Sequence, residues 1–278
     1  MGPLSARYAV CENALRSGDF ATDVAWAQAA GAAALGVDAT AVATAGPTAG
    51  EVLAQSGLCA SSLMGAIPPT LTAPSPAAGW AAAEREVAAV VDRCARLGAP
   101  GVLLTPGPRH QLSYAEADRR GREWLARMGP LAAERGVRLL LEPVHPLLVQ
   151  VGHVHTLAHG AELVADIPGA GLVLDVGHLW WDRRFTADLA DTIGLVGTVQ
   201  IDDVDPAALA DYRYARTQLG DGVVPVAEMV AAIEGSGYDG FYENESSRRS
   251  RRDERVEYFA EGGRRLVSWL QEGAAAHP

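Results

Sequence analysis

The stretch GLVLDVGHLWW, residues 171–181, decides the fold. Its residues Leu172, Val173 and Leu174 form an unbroken apolar run, which is typical of a parallel strand covered on both faces. The run ends in Asp175, and a carboxylate at the end of a buried strand is costly unless a positive charge compensates it. The sequence therefore predicts a buried parallel strand whose last side chain needs a cationic partner.

Short apolar runs of this kind alternate with longer amphipathic stretches along the whole chain. Strands are predicted within 8–15, 35–41, 58–65, 101–107, 137–144, 171–178, 196–203 and 240–246. Helices are predicted at 20–32, 49–56, 77–97, 113–135, 155–166, 185–193, 225–236 and 252–272. Eight strand–helix pairs in roughly 250 residues are the number that a (β/α)8 barrel requires. We therefore predict an α/β fold, a single TIM barrel domain over residues 1–278.

A doubly wound parallel sheet is the alternative architecture for a chain of this length. Such a sheet commonly carries a glycine-rich phosphate loop, GxGxxG, after its first strand. The early segment GVDATAVATAG, residues 36–46, does not have that pattern. The sequence thus favours the barrel and argues against a dinucleotide site.

Composition and charge exclude several classes of function. The chain has a net charge of −11, which argues against a general nucleic-acid binder. Its three cysteines are scattered without zinc or disulfide spacing, as expected in a reducing compartment. No signal peptide pattern and no run of roughly 20 apolar residues is present, so we expect a cytoplasmic protein without a membrane partner. The basic stretch 247–255 is interpreted as a solvated helix start.

Polar side chains recur where four consecutive predicted strands end. The active site of a TIM barrel lies at the carboxyl ends of its strands. The strand-end residues are Glu142 and His145, Asp175 and His178, Gln200 with Asp202 and Asp203, and Glu243 with Glu245. Carboxylates that share one rim repel one another unless a cation lies among them, and oxygen-rich sites suit Mn²⁺, Mg²⁺ or Co²⁺. The pattern predicts a divalent metal site, with Mn²⁺ favoured.

Structural roles compete with this interpretation at each position. Glu142 is equally consistent with a helix cap or a salt bridge, and Asp175 with an Asx turn before Gly177. Trp180 and Trp181 are as consistent with a cap on the barrel mouth as with a ligand-binding surface. The functional interpretation is favoured because the same acid-then-histidine spacing ends two successive strands.

Three segments resemble a known family. LLLEPVHP (139–146), GLVLDVGHLWWD (171–182) and LGDGVVPVAEMVAAIEGSGYDGFYENE (219–245) are similar to the sugar phosphate isomerase/epimerase superfamily, the xylose isomerase-like TIM barrels. The resemblance implies a divalent metal whose ligands are Glu142, Asp175, Gln200 and Glu245. Glu245 is preferred to Glu243 from its spacing after Gly240, although both share one strand face. Gln200 departs from the family pattern, which usually has histidine there.

The resemblance also implies the chemistry of the site. Members move a proton next to a carbonyl through a metal-stabilised enediolate, with two carboxylates as base and acid. On this basis Glu142 and Glu245 are the catalytic pair, and His178 hydrogen-bonds a substrate oxygen or carries a proton. The predicted substrate-binding residues are His145, Trp180, Trp181, Arg213 and Arg216. For the two arginines, a place on a surface loop is an equally good interpretation.

These observations lead to an isomerase or epimerase of a ketose or related polyhydroxy carbonyl compound. The alternative is a lyase on the same site, a dehydratase or an enzyme that cleaves a keto-sugar from an aromatic group. A zinc endonuclease needs more histidine ligands and a basic groove, and a barrel that only binds a ligand would not need its acids. We expect a small-molecule substrate, and a homodimer or homotetramer is possible.

Overall fold

Eight parallel strands close into a barrel, as the apolar runs predict. A computed structural model describes residues 5–67, 71, 79–246 and 252–276. The barrel strands are β1 (Tyr8–Cys11), β2 (Ala34–Asp38), β3 (Cys59–Met64), β4 (Gly101–Leu104), β5 (Arg138–Leu141), β6 (Ala170–Asp175), β7 (Val196–Ile201) and β10 (Tyr242–Asn244). Strand β1 pairs with both β2 and β10, which closes the sheet on itself. The predicted single-domain (β/α)8 barrel is confirmed.

A small antiparallel ribbon is added at the mouth of this barrel. It consists of β8 (Asp203–Val204) and β9 (Arg216–Thr217), which pair Asp203 with Thr217 and Val204 with Arg216. This ribbon was not predicted from the sequence. Because β8 follows directly after β7, the ribbon places β9 over the carboxyl ends of the barrel strands.

The helices that surround the barrel lie where the amphipathic stretches predict them. They are α2 (Phe20–Ala29), α4 (Ala49–Ser56), α5 (Trp80–Leu97), α6 (Tyr114–Ala133), α7 (Leu157–Val164), α9 (Phe185–Thr192), α11 (Val226–Gly235) and α12 (Arg252–Ala276). Residues 77–78 of the helix predicted at 77–97 lie outside the described residues. Residues 247–251 of the basic stretch also lie outside them. Further along that stretch, Arg255 donates hydrogen bonds to the carbonyl oxygens of Leu15 and Arg16.

Four short helices were not predicted, namely α1 (Glu12–Leu15), α3 (Ala39–Ala45), α8 (Val176–Leu179) and α10 (Pro206–Ala210). Three of them begin at an aspartate whose side chain accepts hydrogen bonds from the first free backbone N–H groups. These caps are Asp38 for α3, Asp175 for α8 and Asp205 for α10. An N-cap stabilises a helix start by about 1 kcal/mol. An aspartate at the end of a strand therefore begins a short helix of four to seven residues.

Alternation along the strands divides the side chains into two layers. Outward residues such as Tyr8, Val10 and Tyr242 pack under the helices in the main core. Inward apolar residues fill the barrel in a smaller cluster of Cys11, Met64, Leu103, Leu140 and Val173. Within the described ranges, no helix combines the length and apolarity needed to span a bilayer.

The inward layer also holds a buried carboxyl group, that of Glu243. The hydroxyl of Ser61 donates to its Oε1 at 2.6 Å, and the Gln200 amide donates to its Oε2 at 3.3 Å. On strand β2, which is separated from β10 by β1, a Cβ at Gly36 would lie 3.0 Å from this carboxylate. Glycine at position 36 therefore provides the space that Glu243 occupies.

We expect Gly36→Ala to destabilise the protein by about 1–3 kcal/mol, because overpacking moves a side chain that is held by hydrogen bonds. Gly121→Ala in α6 is the matched control, since a Cβ there meets nothing within 4 Å. That change should stabilise the helix by roughly 0.5–1 kcal/mol. Urea denaturation of both variants measures the difference, and two effects of the same sign would contradict the packing argument.

A second prediction concerns Glu12, which is buried after β1. Its Oε2 accepts the backbone N–H of Asp38 at 2.8 Å, and burial raises the pKa of Glu12 to about 8. In the unfolded chain the group titrates near its usual value of 4.5. The folded state therefore retains a proton that the unfolded state loses, so Glu12 lowers stability as the pH rises from about 5 to about 8.

The Glu12→Gln variant lacks this titration. Between pH 5 and pH 8 its free energy of unfolding should fall less than that of the native protein, by roughly 1–3 kcal/mol. The free energy of unfolding of both proteins, measured at the two pH values, tests the prediction. Parallel pH profiles for the native protein and the variant would show that Glu12 does not carry the effect.

Candidate active site

Four carboxyl groups meet at the mouth of the barrel. Glu142 follows β5, Asp175 ends β6, Asp202 follows β7 and Glu245 follows β10. We call these four residues the mouth carboxylates. Asp175 and Asp202 are fully buried, and 9% of Glu245 is exposed. Because the carboxyl ends of all barrel strands point the same way, the fold forces these acids onto one rim.

Two of the mouth carboxylates form a cluster with a histidine. One helical turn, α8, carries His178 back over Asp175, and His178 Nε2 lies 3.7 Å from Asp175 Oδ2. The same nitrogen lies 3.4 Å from Glu142 Oε1. One ligand atom from each of the three residues lies within 4.8 Å of the others.

The cation that meets Asp175 in this structure is Arg216. The β8–β9 ribbon holds Arg216 above the mouth, where its Nη2 lies 3.3 Å from Asp175 Oδ2 and 3.1 Å from Glu245 Oε2. Its Nε donates to Asp202 Oδ2. One guanidinium group thus contacts three of the four mouth carboxylates.

Burial sets the ionisation of these groups. It raises the pKa of Asp175 to about 7, although the charge of Arg216 acts in the opposite direction. Burial and the neighbouring Asp175 raise the pKa of Asp202 to about 7, and burial also raises the pKa of Glu245. Desolvation opposes the charge of Arg216, but the surrounding carboxylates raise its pKa well above the usual value. The mouth therefore holds more acid than one guanidinium compensates.

The two carboxylate oxygens of Asp175 have different partners. Oδ1 accepts the backbone N–H groups of Gly177 at 2.8 Å and His178 at 3.3 Å, which is the Asx turn that the sequence allows. Oδ2 faces Arg216 and the His178 ring. The turn and the cation contact are therefore compatible, and Asp175 makes both.

Gln200, one of the four ligands implied by the resemblance, lies beside Asp175, its partner in the pairing of β6 with β7. Its side chain turns into the barrel interior, where Nε2 lies 3.3 Å from Glu243 Oε2 and 3.6 Å from Cys11 Sγ. Gln200 Oε1 is buried without a hydrogen-bond partner among the described residues. The cluster of Glu142 and Asp175 also contains His178.

The two candidate glutamates of the last strand lie in different layers. Glu245 is at the mouth, where Asn13 Nδ2 donates to its Oε1 at 3.2 Å. Glu243 lies two residues earlier on the same face, about 6–7 Å deeper along the strand. Its partners there are Ser61 and Gln200.

Aromatic rings form one wall of the mouth. The ring of His145 lies 6.3 Å from that of Trp180 in a stacked orientation, and 6.3 Å from that of Trp181 edge-on. Tyr214 completes this wall at 5.5 Å from His145 and 5.0 Å from His178. Trp180 Nε1 is buried without a partner within the part of the chain that is described. Burial lowers the pKa of His145 to about 4, so its imidazole is neutral near pH 7.

The two arginines predicted to bind substrate have different positions. Arg216 lies among the mouth carboxylates, whereas the side chain of Arg213 is 66% exposed and lies 3.4 Å from Asp211. A cavity of about 760 Å³ opens beside Arg216 and Tyr214, and its lining includes Ala14, Asp205 and Arg255 but none of the mouth carboxylates.

Two residues of the mouth, Asn13 and Tyr214, were absent from the predicted site, and Asp202 was named only as a strand-end residue without a role. Asn13 lies two residues after the Cys11 end of β1, so the strand-end rule could have found it. Tyr214 lies in the segment before β9, and no periodic signal in the sequence marks it.

The donor set at the mouth fits a divalent cation. Two carboxylate oxygens and one imidazole nitrogen are ligands that Mn²⁺, Zn²⁺ and related ions accept. Ligand atoms of one such ion lie about 3.0–3.5 Å apart when the metal bonds are about 2.1 Å long. The separations of 3.4 Å and 3.7 Å around His178 Nε2 are close to this range.

Solved structures resemble this barrel over nearly its whole length. A protein of Sinorhizobium meliloti 1021 is 25% identical with a TM-score of 0.81, over 94% of this chain and 98% of that chain. The 3-keto-D-glucoside 4-epimerase of E. coli is 15% identical with a TM-score of 0.74, over 96% and 99%. The IolI protein, solved with a zinc atom, is 17% identical with a TM-score of 0.72, over 97% of each chain.

A family model built from sequences agrees with the comparison of structures. No curated protein has significant sequence similarity to this chain. The family model described as xylose isomerase-like TIM barrel matches residues 24–271. The chain therefore belongs to the xylose isomerase-like TIM barrel family, as the resemblance of its strand-end motifs predicted.

Proposed function

We propose that this protein is a divalent-metal-dependent isomerase or epimerase of a ketose or related polyhydroxy carbonyl compound. The observation that carries the proposal is the cluster of Glu142, Asp175 and His178, whose ligand atoms lie within 4.8 Å of one another at the barrel mouth. The solved epimerases with the same fold support the substrate class.

Glu142 Oε1, Asp175 Oδ2 and His178 Nε2 would hold the metal, and Glu245 is the further ligand that the resemblance implies. Manganese is the proposed ion, with magnesium or cobalt as alternatives, because carboxylate oxygens dominate the site. When bound, such an ion polarises a carbonyl and an adjacent hydroxyl and compensates the negative charge of an enediolate.

The chain's own residues move the proton. A carboxylate at Glu142 accepts the proton from the carbon next to the carbonyl, while the C–H electron pair forms the enediolate double bond. Glu245 is the second carboxyl group of the pair and acts as the acid that returns a proton to the substrate. Glu142 and Glu245 thus act as the base and acid predicted from the sequence.

Two cationic or donor groups stabilise the developing oxyanion. His178 Nδ1 is buried without a partner among the described residues, so it is free to donate to a substrate oxygen when Nε2 is a ligand. Arg216 lies beside Glu245 and Asp175 and provides a fixed positive charge. Donors placed where charge develops are the largest contribution to many enzymatic rate enhancements.

A lyase on the same site is the second candidate function. The wall formed by His145, Trp180, Trp181 and Tyr214 favours it, because flat apolar rings suit an aromatic leaving group as well as a sugar ring. In that reaction the enediolate loses a β-substituent instead of regaining a proton, and the product is an enone. Cytoplasmic location and a homodimeric or homotetrameric assembly remain part of the proposal.

We expect the native protein to bind about one Mn²⁺ per chain, because one cluster of ligands is formed at the mouth. Asp175→Asn should weaken this binding more than about tenfold, since it removes the charge of a direct ligand. Asp92→Asn, a surface aspartate paired with Arg135, is the control and should bind like the native protein. Metal analysis after dialysis measures the stoichiometry, and a folded native protein without bound Mn²⁺ would reject the proposed function.

We further expect the native enzyme with Mn²⁺ to exchange a carbon-bound hydrogen of a ketose in D₂O. Glu142→Gln should lower this rate by about 10²–10⁴-fold, the usual contribution of a general base. The surface variant Glu123→Gln should retain the native rate. Proton NMR of a ketose panel measures the exchange, and an enone product without exchange would support the lyase instead.

A further inference from the structure

The position of Arg216 raises a question about the proposed metal site. Asp175 Oδ1 is occupied by backbone N–H groups, so its Oδ2 is the oxygen that faces the mouth. Glu245 Oε1 accepts from Asn13, so its Oε2 faces the mouth in the same way. Arg216 Nη2 contacts both of these oxygens, at 3.3 Å and 3.1 Å. A guanidinium group and a metal ion would therefore compete for the same two atoms.

The other end of the guanidinium group has a separate partner. Arg216 Nε donates to Asp202 Oδ2, and Asp202 is not one of the clustered ligands. Asp202 is fully buried, and its Oδ1 has no hydrogen-bond partner among the described residues. Asp202 can therefore keep Arg216 at the mouth through Nε when Nη2 leaves the other two carboxylates.

Space for such a movement exists beside the β8–β9 ribbon. Arg216 and Tyr214 both line the cavity of about 760 Å³, and the guanidinium carbon lies 5.9 Å from the Tyr214 ring centroid. An aromatic face attracts a guanidinium group. Nη2 could thus turn toward this cavity while Nε stays on Asp202.

We propose that Arg216 is an internal counter-cation that exchanges with the metal ion. In the metal-free protein its Nη2 neutralises Asp175 and Glu245. Metal binding would take these two oxygens from Nη2, while Asp202 holds the released guanidinium group, which turns toward the cavity beside the ribbon. Arg216 and Asp202 are positioning residues in this scheme, and the inference rests on the proposed metal dependence.

Titration of MnCl₂ into the metal-free protein by calorimetry tests the exchange. Arg216→Gln removes the competing cation, so we expect its Mn²⁺ dissociation constant to fall at least about fivefold, while its melting temperature without metal decreases. Arg7→Gln is the matched control. Arg7 is 27% exposed and paired with Glu234, whereas the Arg216 side chain is 21% exposed. The control should lose stability and bind Mn²⁺ like the native protein.

A second measurement uses the native protein and needs no variant. In ¹⁵N NMR with ZnCl₂, the Arg216 Nη signals should shift or broaden on metal binding, while the Nε–H signal remains that of a hydrogen-bonded group. Unchanged Nη signals in the metal-bound protein would overturn the exchange, and so would loss of the Nε–H bond to Asp202.

The outcomes separate this inference from the proposed function. If the native protein binds Mn²⁺ and Arg216→Gln binds it equally or more weakly, the exchange is wrong and the metal proposal stands. If only Arg216→Gln binds Mn²⁺, Arg216 is the permanent cation of the native protein, and both the exchange and the proposed metal dependence are rejected. If neither protein binds Mn²⁺, both proposals are rejected.

Discussion

Four carboxyl groups buried at one end of a closed barrel are the constraint on which the rest of the site depends. Parallel strands end on the same rim, so acids that follow β5, β6, β7 and β10 cannot be moved apart without a change of fold. In a desolvated mouth their repulsion is strong, and burial raises the pKa of Asp175, Asp202 and Glu245. A cationic group close to these carboxylates therefore reduces their repulsion.

Two features of the mouth compensate the negative charge of these carboxylates. The β8–β9 ribbon brings in Arg216, whose guanidinium contacts three of the mouth carboxylates. The remaining acid, Glu142, faces His178, and these two residues with Asp175 form a ligand set for a second cation. The proposed enzymatic function and the proposed exchange of Arg216 with a metal are both consequences of this excess of negative charge.

Much of the fold could be predicted because its signals are local. Buried parallel strands require apolar runs, and amphipathic helices require a regular period, so the eight barrel strands and the long helices lie where the sequence predicts them. The short helices α3, α8 and α10 were missed because each depends on one aspartate cap. An aspartate at a strand end is equally compatible with a cap, an ion pair or a metal ligand, and local pattern does not distinguish these roles.

The sequence by itself determined which residues reach the rim, since strand alternation and strand ends place Glu142, Asp175 and Glu245 there. Only the tertiary structure decided what each of them contacts. Gln200 pairs with Asp175 across β6 and β7, and its amide N–H donates to Glu243 deeper in the barrel. Arg216 lies far from Asp175 in sequence, and a two-stranded ribbon brings them together. The physical reason is that alternation sets the direction of a side chain, whereas its partner depends on charges and donors supplied by other strands.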